Sequence, residues 1–282
     1  MAQYDFHFHS TYSDGSTTLQ EIFNKAKGKG IKALAVTDHD TSLNFPEMKI
    51  LSKAYGIAYI PALELTVVEQ GVKLHVLAYG LNKESEELYA YSTNLKNYLD
   101  HKSHKQISIL NSKGINISPE EFFKQSKGGP LYRAKLLYTL ALHGYLKVDD
   151  IMVSLPKYFG KDGMCYVEDT YNFMNFKEGC KFIKRNGGKV VLAHPGKIKK
   201  KKEELYNDLI RSSYLDGIEV YHTDNDEEVK KELRDICLKK DLRITGGSDS
   251  HGIFRKKFID IGDMELPQEV VESLKDLFAT VM

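Results

Sequence analysis

Cysteine is scarce in this 282-residue chain, which contains only Cys165, Cys180 and Cys237. Their spacing fits neither a thiolate metal site nor a disulfide framework, so a disulfide-stapled module is excluded and a reducing, cytoplasmic setting is expected. Charge of one sign is not in excess either. A formal net charge of +1 argues against a protein that coats nucleic acid or a membrane surface. No run of about 18 apolar residues occurs, and no basic n-region followed by an apolar run opens the chain. No membrane association is therefore expected, and nothing marks an obligate protein partner. Internal repeats and low-complexity tracts are missing as well. The length is enough for a large core, either one α/β barrel or a barrel carrying an insertion.

Short apolar runs alternate with amphipathic segments through roughly the first 80 residues. YDFHFH, KALAVTDH, IAYIPALELTVV and KLHVLAYG read as strands, with helices predicted over 18–29 and 45–55. The rhythm returns after Asn175 with KVVLAHP, GIEVYH and LRITGGSDSH. Strands alternating with helices indicate a mostly parallel barrel or sheet. Between the two halves the pattern is helical. One helix there opens on Ser118, Pro119 and Glu121, a capping box with proline in the first turn. The expected organisation is a first barrel part over 1–82, a helical insertion over 83–170 lying across the barrel mouth, and a second barrel part over 171–282.

In the first strand, His7 and His9 share one face while Phe6 and Phe8 share the other. Further imidazoles and carboxylates recur mostly at expected strand ends, the rim where barrel enzymes build active sites. They are Asp14, His39, Glu64, His75, His194, Asp249 and His251, which with His7 and His9 make nine donors. Nitrogen and oxygen donors without thiolate suit Mn²⁺, Fe²⁺ or Zn²⁺. Nine are too many for one ion. With three carboxylates in the set, two divalent ions leave the site at about +1 and three leave it at about +3, an attractive field for a phosphate dianion. Bound metal also lowers the pKa of water from about 15.7 to about 7, which supplies hydroxide at neutral pH. His101 and His104, i and i+3 on an inserted helix, read instead as a solvated face, and so does His143.

The motifs DFHFHSTYSDGS, AVTDHDT, ALELT, HVLAYG, VLAHPG, GIEVYH and GGSDSHG, in this order, make the chain resemble the PHP (polymerase and histidinol phosphatase) superfamily of metal-dependent phosphoesterases. It looks most like the branch with a helical insertion, which includes nucleoside 3′,5′-bisphosphate phosphatases and a 5′-to-3′ RNA exonuclease. The resemblance implies a distorted seven-stranded (β/α) barrel and hydrolysis of a phosphomonoester or terminal phosphodiester by a metal-bridging hydroxide. Two or three divalent ions are implied. One would sit on His7, His9, Glu64 and Asp249, a second on Glu64, His75 and His194, and a third on Asp14, His39 and His251. A small phosphorylated substrate is expected, of the nucleotide, bisphosphonucleotide or short RNA class.

The resemblance also places Arg133 and Lys135 where relatives hold substrate phosphate, with lysine standing in for a histidine. Glu168 and Asp169 occupy positions where relatives tend to be basic; facing the mouth, they would repel a second phosphate. Asp14, Arg133 and His222 are the expected catalytic group, and His222 also stands among the expected substrate contacts, its other readings being a residue behind the ligands or a structural polar group. The lysines of PGKIKKKKEE, Lys197 and Lys199 to Lys202, read as a solvated loop entering a helix at Glu203, or as an overhang attracting polyanions. An amidohydrolase-type barrel also opens on H-x-H, but filled Asp14 and His39 positions favour the phosphoesterase. A non-catalytic, metal-stabilised binding module would be marked by lost ligands, and none is lost.

Overall fold

The computed structural model describes residues 3–126, 129–254 and 259–278. β1 (Tyr4–Phe8) leads to α1 (Leu19–Lys29), which opens on a reciprocal box between Thr18 and Glu21. β2 (Ala33–Val36), α2 (Phe45–Tyr55) and the two-residue β3 (Ala58–Tyr59) follow. β4 (Ala62–Glu69) and β5 (Val72–Tyr79) form an antiparallel hairpin turned by Gln70 and Gly71, both at positive φ. The chain then enters α3 (Glu86–Ser112), α4 (Pro119–Ser126), α5 (Arg133–Leu142) and α6 (Ile151–Phe159). It returns through α7 (Phe176–Arg185), β6 (Lys189–Leu192), α8 (Pro195–Lys201), α9 (Glu203–Leu209) and β7 (Gly217–Tyr221). α10 (Glu227–Lys240), β8 (Arg243–Gly246) and α11 (Gln268–Leu274) complete the order. None of the described helices is long and apolar enough to cross a membrane.

The strands fall into two sheet segments, β1-β2-β3 and β4-β5-β6-β7-β8. Two isolated parallel bridges join them. Phe8 pairs with Ser250 just past β8, with His9 N donating to Ser250 O at 2.9 Å and Asp249 N to His7 O at 2.7 Å. His39, just past β2, pairs with Glu64 of β4, and Asp40 N donates to Glu64 O at 3.0 Å. With β3 set aside as a short edge on β2, the order runs round a distorted seven-stranded barrel. Gly247 permits the first joint, because a Cβ there would lie 2.3 Å from His7 N.

Three sequence expectations need correction. IAYIPALELTVV is two strands, interrupted at Ile60 and Pro61 because Pro61 has no N–H to give a ladder. The barrel is less parallel than expected, since β5 runs antiparallel to both β4 and β6. The lysine run is not a loop: Pro195–Lys201 is helical, with Pro195 in its first turn.

The described side chains form three apolar cores. The largest packs β4 to β8 against α7, α9, α10 and α11, and a second packs β1 and β2 against α1 and α2. The third lies within α3 to α6, where Ile107, Leu110, Phe122, Leu136 and Leu140 pack with Cys165 and with Phe254 from beyond β8. These helices dock on the β1–α1 loop. A Cβ on Gly129 would sit 2.1 Å from Thr11 O, and Lys135 Nζ donates to that same carbonyl at 2.6 Å.

Candidate metal centre and adjoining cleft

All nine donors expected from the sequence meet at one rim of the ring. His9 Nε2 lies 3.2 Å from both Glu64 Oε2 and Asp249 Oδ1, and His7 Nε2 lies 3.4 and 3.5 Å from the same two oxygens. The other Glu64 oxygen, Oε1, is 2.9 Å from His75 Nδ1 and 2.7 Å from His194 Nε2. Asp14 Oδ1 is 3.4 Å from His251 Nε2 and 3.8 Å from His9 Nδ1 and His39 Nε2. Three clusters of donors result, and Glu64 divides its oxygens between two of them. Glu64 and His75 do not end their strands. They share a face of the β4–β5 hairpin, which overshoots the rim, so His75 reaches the cluster from a strand running the opposite way.

Backbone strain gathers here. His194, Asp249 and Asp40 adopt φ of 30°, 50° and 55°, in the left-handed region that side chains disfavour. Asp40 is held there by Thr66 N, Thr66 Oγ1 and the Tyr91 hydroxyl, all donating to its carboxylate.

The electrostatics fit divalent cations. Burial opposes ionisation of Glu64, Asp249 and Asp14, yet neighbouring groups hold all three well below the ordinary carboxylate range: His75 and His7 around Glu64, His7 and Lys197 around Asp249, and His251 and His9 around Asp14. Burial also opposes protonation of His9, but Asp249 and Glu64 raise its pKa to about 9. His39 is pulled down to about 3, mainly by burial, and is neutral and ready to ligate. Asp14 Oδ1 and His39 Nδ1 are buried without a hydrogen-bond partner among the described residues. Imidazole protons thus offset carboxylate charge that a divalent ion would offset instead.

Residues not singled out from the sequence hold these donors in place. Glu219 of β7 is fully buried; its Oε1 is 2.6 Å from His7 Nδ1, and its Oε2 accepts from His194 N at 2.6 Å. Asp38 accepts from Ser10 N, Ser10 Oγ, Ser13 Oγ and Asn44 Nδ2 at 2.6 to 2.8 Å, which fixes the loop presenting Asp14. A carboxylate inside the apolar strand GIEVYH was the available signal for Glu219. Asp38 was hidden by standing next to His39.

Beside the cluster, a cleft of about 270 Å³ separates the rim from the helices of the insertion. Asp14, His39 and His75 line it, and so do Tyr132, Arg133 and Ala134 at the start of α5, with the Tyr132 hydroxyl donating to His39 O at 3.2 Å. Leu95, Leu99 and Leu155 supply an apolar side. Asp169 lines the cleft, whereas Glu168 is exposed elsewhere.

Two expected substrate contacts lie away from this cleft. Lys135 is fully buried, its ammonium donating to the carbonyls of Thr11, Pro130 and Ser126, so it fastens the insertion to the barrel. His222 is also fully buried. Its Nδ1 accepts from Asp224 N at 3.0 Å, which leaves the proton on Nε2, 3.1 Å from Asp249 Oδ2. It lies against the Asp249 carboxylate and is not among the residues lining the cleft. His101 and His104 are exposed on α3, and His143 is exposed just past the end of α5.

Residues 5–280 match the model of the PHP domain. The chain belongs to the PHP domain family. This PHP protein is 27% identical over 253 residues to a phosphoribosyl 1,2-cyclic phosphate 1,2-diphosphodiesterase from Eggerthella lenta, covering 89% of this chain and 94% of the relative. It is 25% identical to a 5′-3′ exoribonuclease of Haemophilus influenzae, covering 95% and 97%. Its fold superposes with a TM-score of 0.81 on a Bifidobacterium adolescentis protein assigned as a metal-dependent phosphoesterase, at 24% identity over 97% of this chain and 96% of that one. The match bears out the resemblance read from the motifs. This PHP protein is a metal-dependent phosphoesterase, a hydrolase of the class to which its divalent-cation site belongs.

Proposed function

We propose that this chain hydrolyses a small phosphate ester, a nucleotide, a bisphosphonucleotide or the end of a short RNA, in the cleft between the nine-donor rim and the helical insertion. The observation that carries this reading is the shared cleft. Its rim brings together donors suited to two or three ions of the Mn²⁺, Fe²⁺ or Zn²⁺ class, and the start of α5 brings the Arg133 cation to the same cleft. Relatives named for a cyclic phosphodiester and for RNA support the substrate class.

Arg133 is the first residue of α5, and that helix has no side-chain cap. Its free backbone N–H groups and the guanidinium fork favour a phosphate placed there. When bound, divalent ions would supply hydroxide at neutral pH and offset charge on the phosphate oxygens. Residues 83–170 then serve as a cap that selects the substrate, and Arg133 positions the phosphate for in-line attack. Glu219 keeps His7 and the His194 backbone in register, and His222 keeps one Asp249 oxygen turned toward itself, leaving the other for the cluster. Asp14 completes the outer donor group.

The test is phosphate release with Mn²⁺, Fe²⁺ or Zn²⁺ supplied, over 5′- and 3′-nucleotides, nucleoside 3′,5′-bisphosphates, cyclic phosphates and 5′-phosphorylated oligoribonucleotides. Release from at least one class, lost on chelation, is expected. Turnover of cyclic amides without any phosphate release would replace this reading with the amidohydrolase one.

A further inference from the structure

Next to the metal cluster, the cleft contains two ammonium groups that no role above absorbs. Lys73 and His75 are two residues apart on one face of β5, so their Cα atoms are about 7 Å apart. Lys102 of α3 faces Lys73 across the cleft. Between them lies Asp169, with Oδ2 3.3 Å from Lys73 Nζ and Oδ1 3.6 Å from Lys102 Nζ. The Tyr98 hydroxyl donates to Asp169 Oδ1 at 2.9 Å, and Phe173 lies under Lys73 with 4.1 Å from Nζ to the ring centroid. Only 13% of the Lys102 side chain is exposed. Burial lowers its pKa, Arg133 and Lys73 lower it further, and Asp169 opposes them. A carboxylate thus occupies a position where two lysines, with Arg133 nearby, would hold an external anion.

We propose that Lys73 and Lys102 form a second anion subsite, that Asp169 fills it in the free protein, and that this carboxylate weakens binding of substrates carrying a second phosphate. This rests on the phosphoesterase reading, with the scissile phosphate between the rim and Arg133. The second phosphate belongs about one sugar unit away, the distance from His75 to Lys73 along the strand. Asp169 lies between helices in a segment without regular structure and is 42% exposed in its side chain, so it can swing aside with little loss of packing. A substrate with one phosphate leaves Asp169 in place. A bisphosphate must displace it.

The test uses ligands that cannot turn over, so that it stays readable whether or not phosphate esters are hydrolysed. Propane-1,3-diphosphonate and propylphosphonate are titrated calorimetrically into metal-loaded wild type, Asp169→Asn, and Asp169→Asn combined with Lys102→Met. The asparagine keeps the shape of the side chain and can still accept from Tyr98. Asp169→Asn is expected to tighten the diphosphonate relative to the monophosphonate on the order of tenfold at low salt, and Lys102→Met to erase that gain. An equal change for both ligands, a gain that survives Lys102→Met, or no diphosphonate binding by any variant would each overturn the subsite. Phosphate release from monoesters, measured separately, bears on the phosphoesterase reading alone.

Discussion

The rim and the cap hold their polar side chains in opposite ways. His7, His9, Glu64 and Asp249 are no more than 1% exposed and contact one another through strands that cross both joints of the barrel. Arg133 and Asp169 of the cap stand in a cleft open to water, on a helix start and an irregular segment. Large apolar side chains left exposed also concentrate in the cap, among them Phe123, Leu142, Tyr145, Met152 and Val153. A chemical centre needs donors fixed to fractions of an ångström, which interlocked strands provide. Recognition of variable substrates tolerates, and uses, a looser wall.

Breaking the rim should therefore have the largest effect. Asp249→Asn or His194→Ala should lower kcat/KM on the order of a thousandfold or more, because one removes a charge and the other a donor from the cluster. Elemental analysis of the same variants should find less bound metal than wild type. Full metal content with full activity would show that the cluster is structural. Glu219→Gln probes the same region one step out: it keeps the shape of the side chain but removes the charge against His7. Metal affinity should fall about 10- to 100-fold, with less effect on KM for substrate.

Perturbing the cap should separate substrate from metal. Arg133→Lys keeps a positive charge but loses the paired hydrogen bonds of a guanidinium, so kcat/KM should fall about tenfold while metal content stays at the wild-type level. Metal loss in this variant would mean that cap and rim are not independent. Lys135→Met tests how the cap is fastened. Three carbonyls would lose a charged donor in a buried site, so unfolding stability should drop by about 2 kcal/mol, read as a lower denaturant midpoint.

The same contrast explains what the sequence made legible. The H-x-H donors were readable because strand alternation puts two ligands on one side, and α2 runs over the residues that its periodicity predicted. The box between Ser118 and Glu121 is likewise local and present. What the chain pattern hid depends on partners far away in sequence. His75 belongs to the cluster only because β5 turns back on β4, and Glu219 matters only because β7 lies where its carboxylate meets His7, 212 residues earlier. Lys135 looked like a phosphate ligand by its position in a motif. Its carbonyl partners include Thr11, 124 residues away, and no local rule connects them.

The smallest effect should come from His101→Ala and His104→Ala. Both residues sit on α3, the same helix whose Leu95, Leu99, Lys102, Ser103 and Gln106 line the cleft. Those five fall on one side of a 3.6-residue period, and His101 and His104 fall off it, exposed. Neither histidine has a route to the metal cluster or to substrate. Each alanine should leave kcat/KM within about twofold of wild type and the denaturant midpoint nearly unchanged, as surface substitutions generally do. The comparison with Arg133→Lys is the sharp one, because all three residues belong to the cap. If a helix histidine cost as much as Arg133→Lys, the substrate would have to extend over the outer face of α3, and the cap would recognise its ligand on two surfaces instead of one.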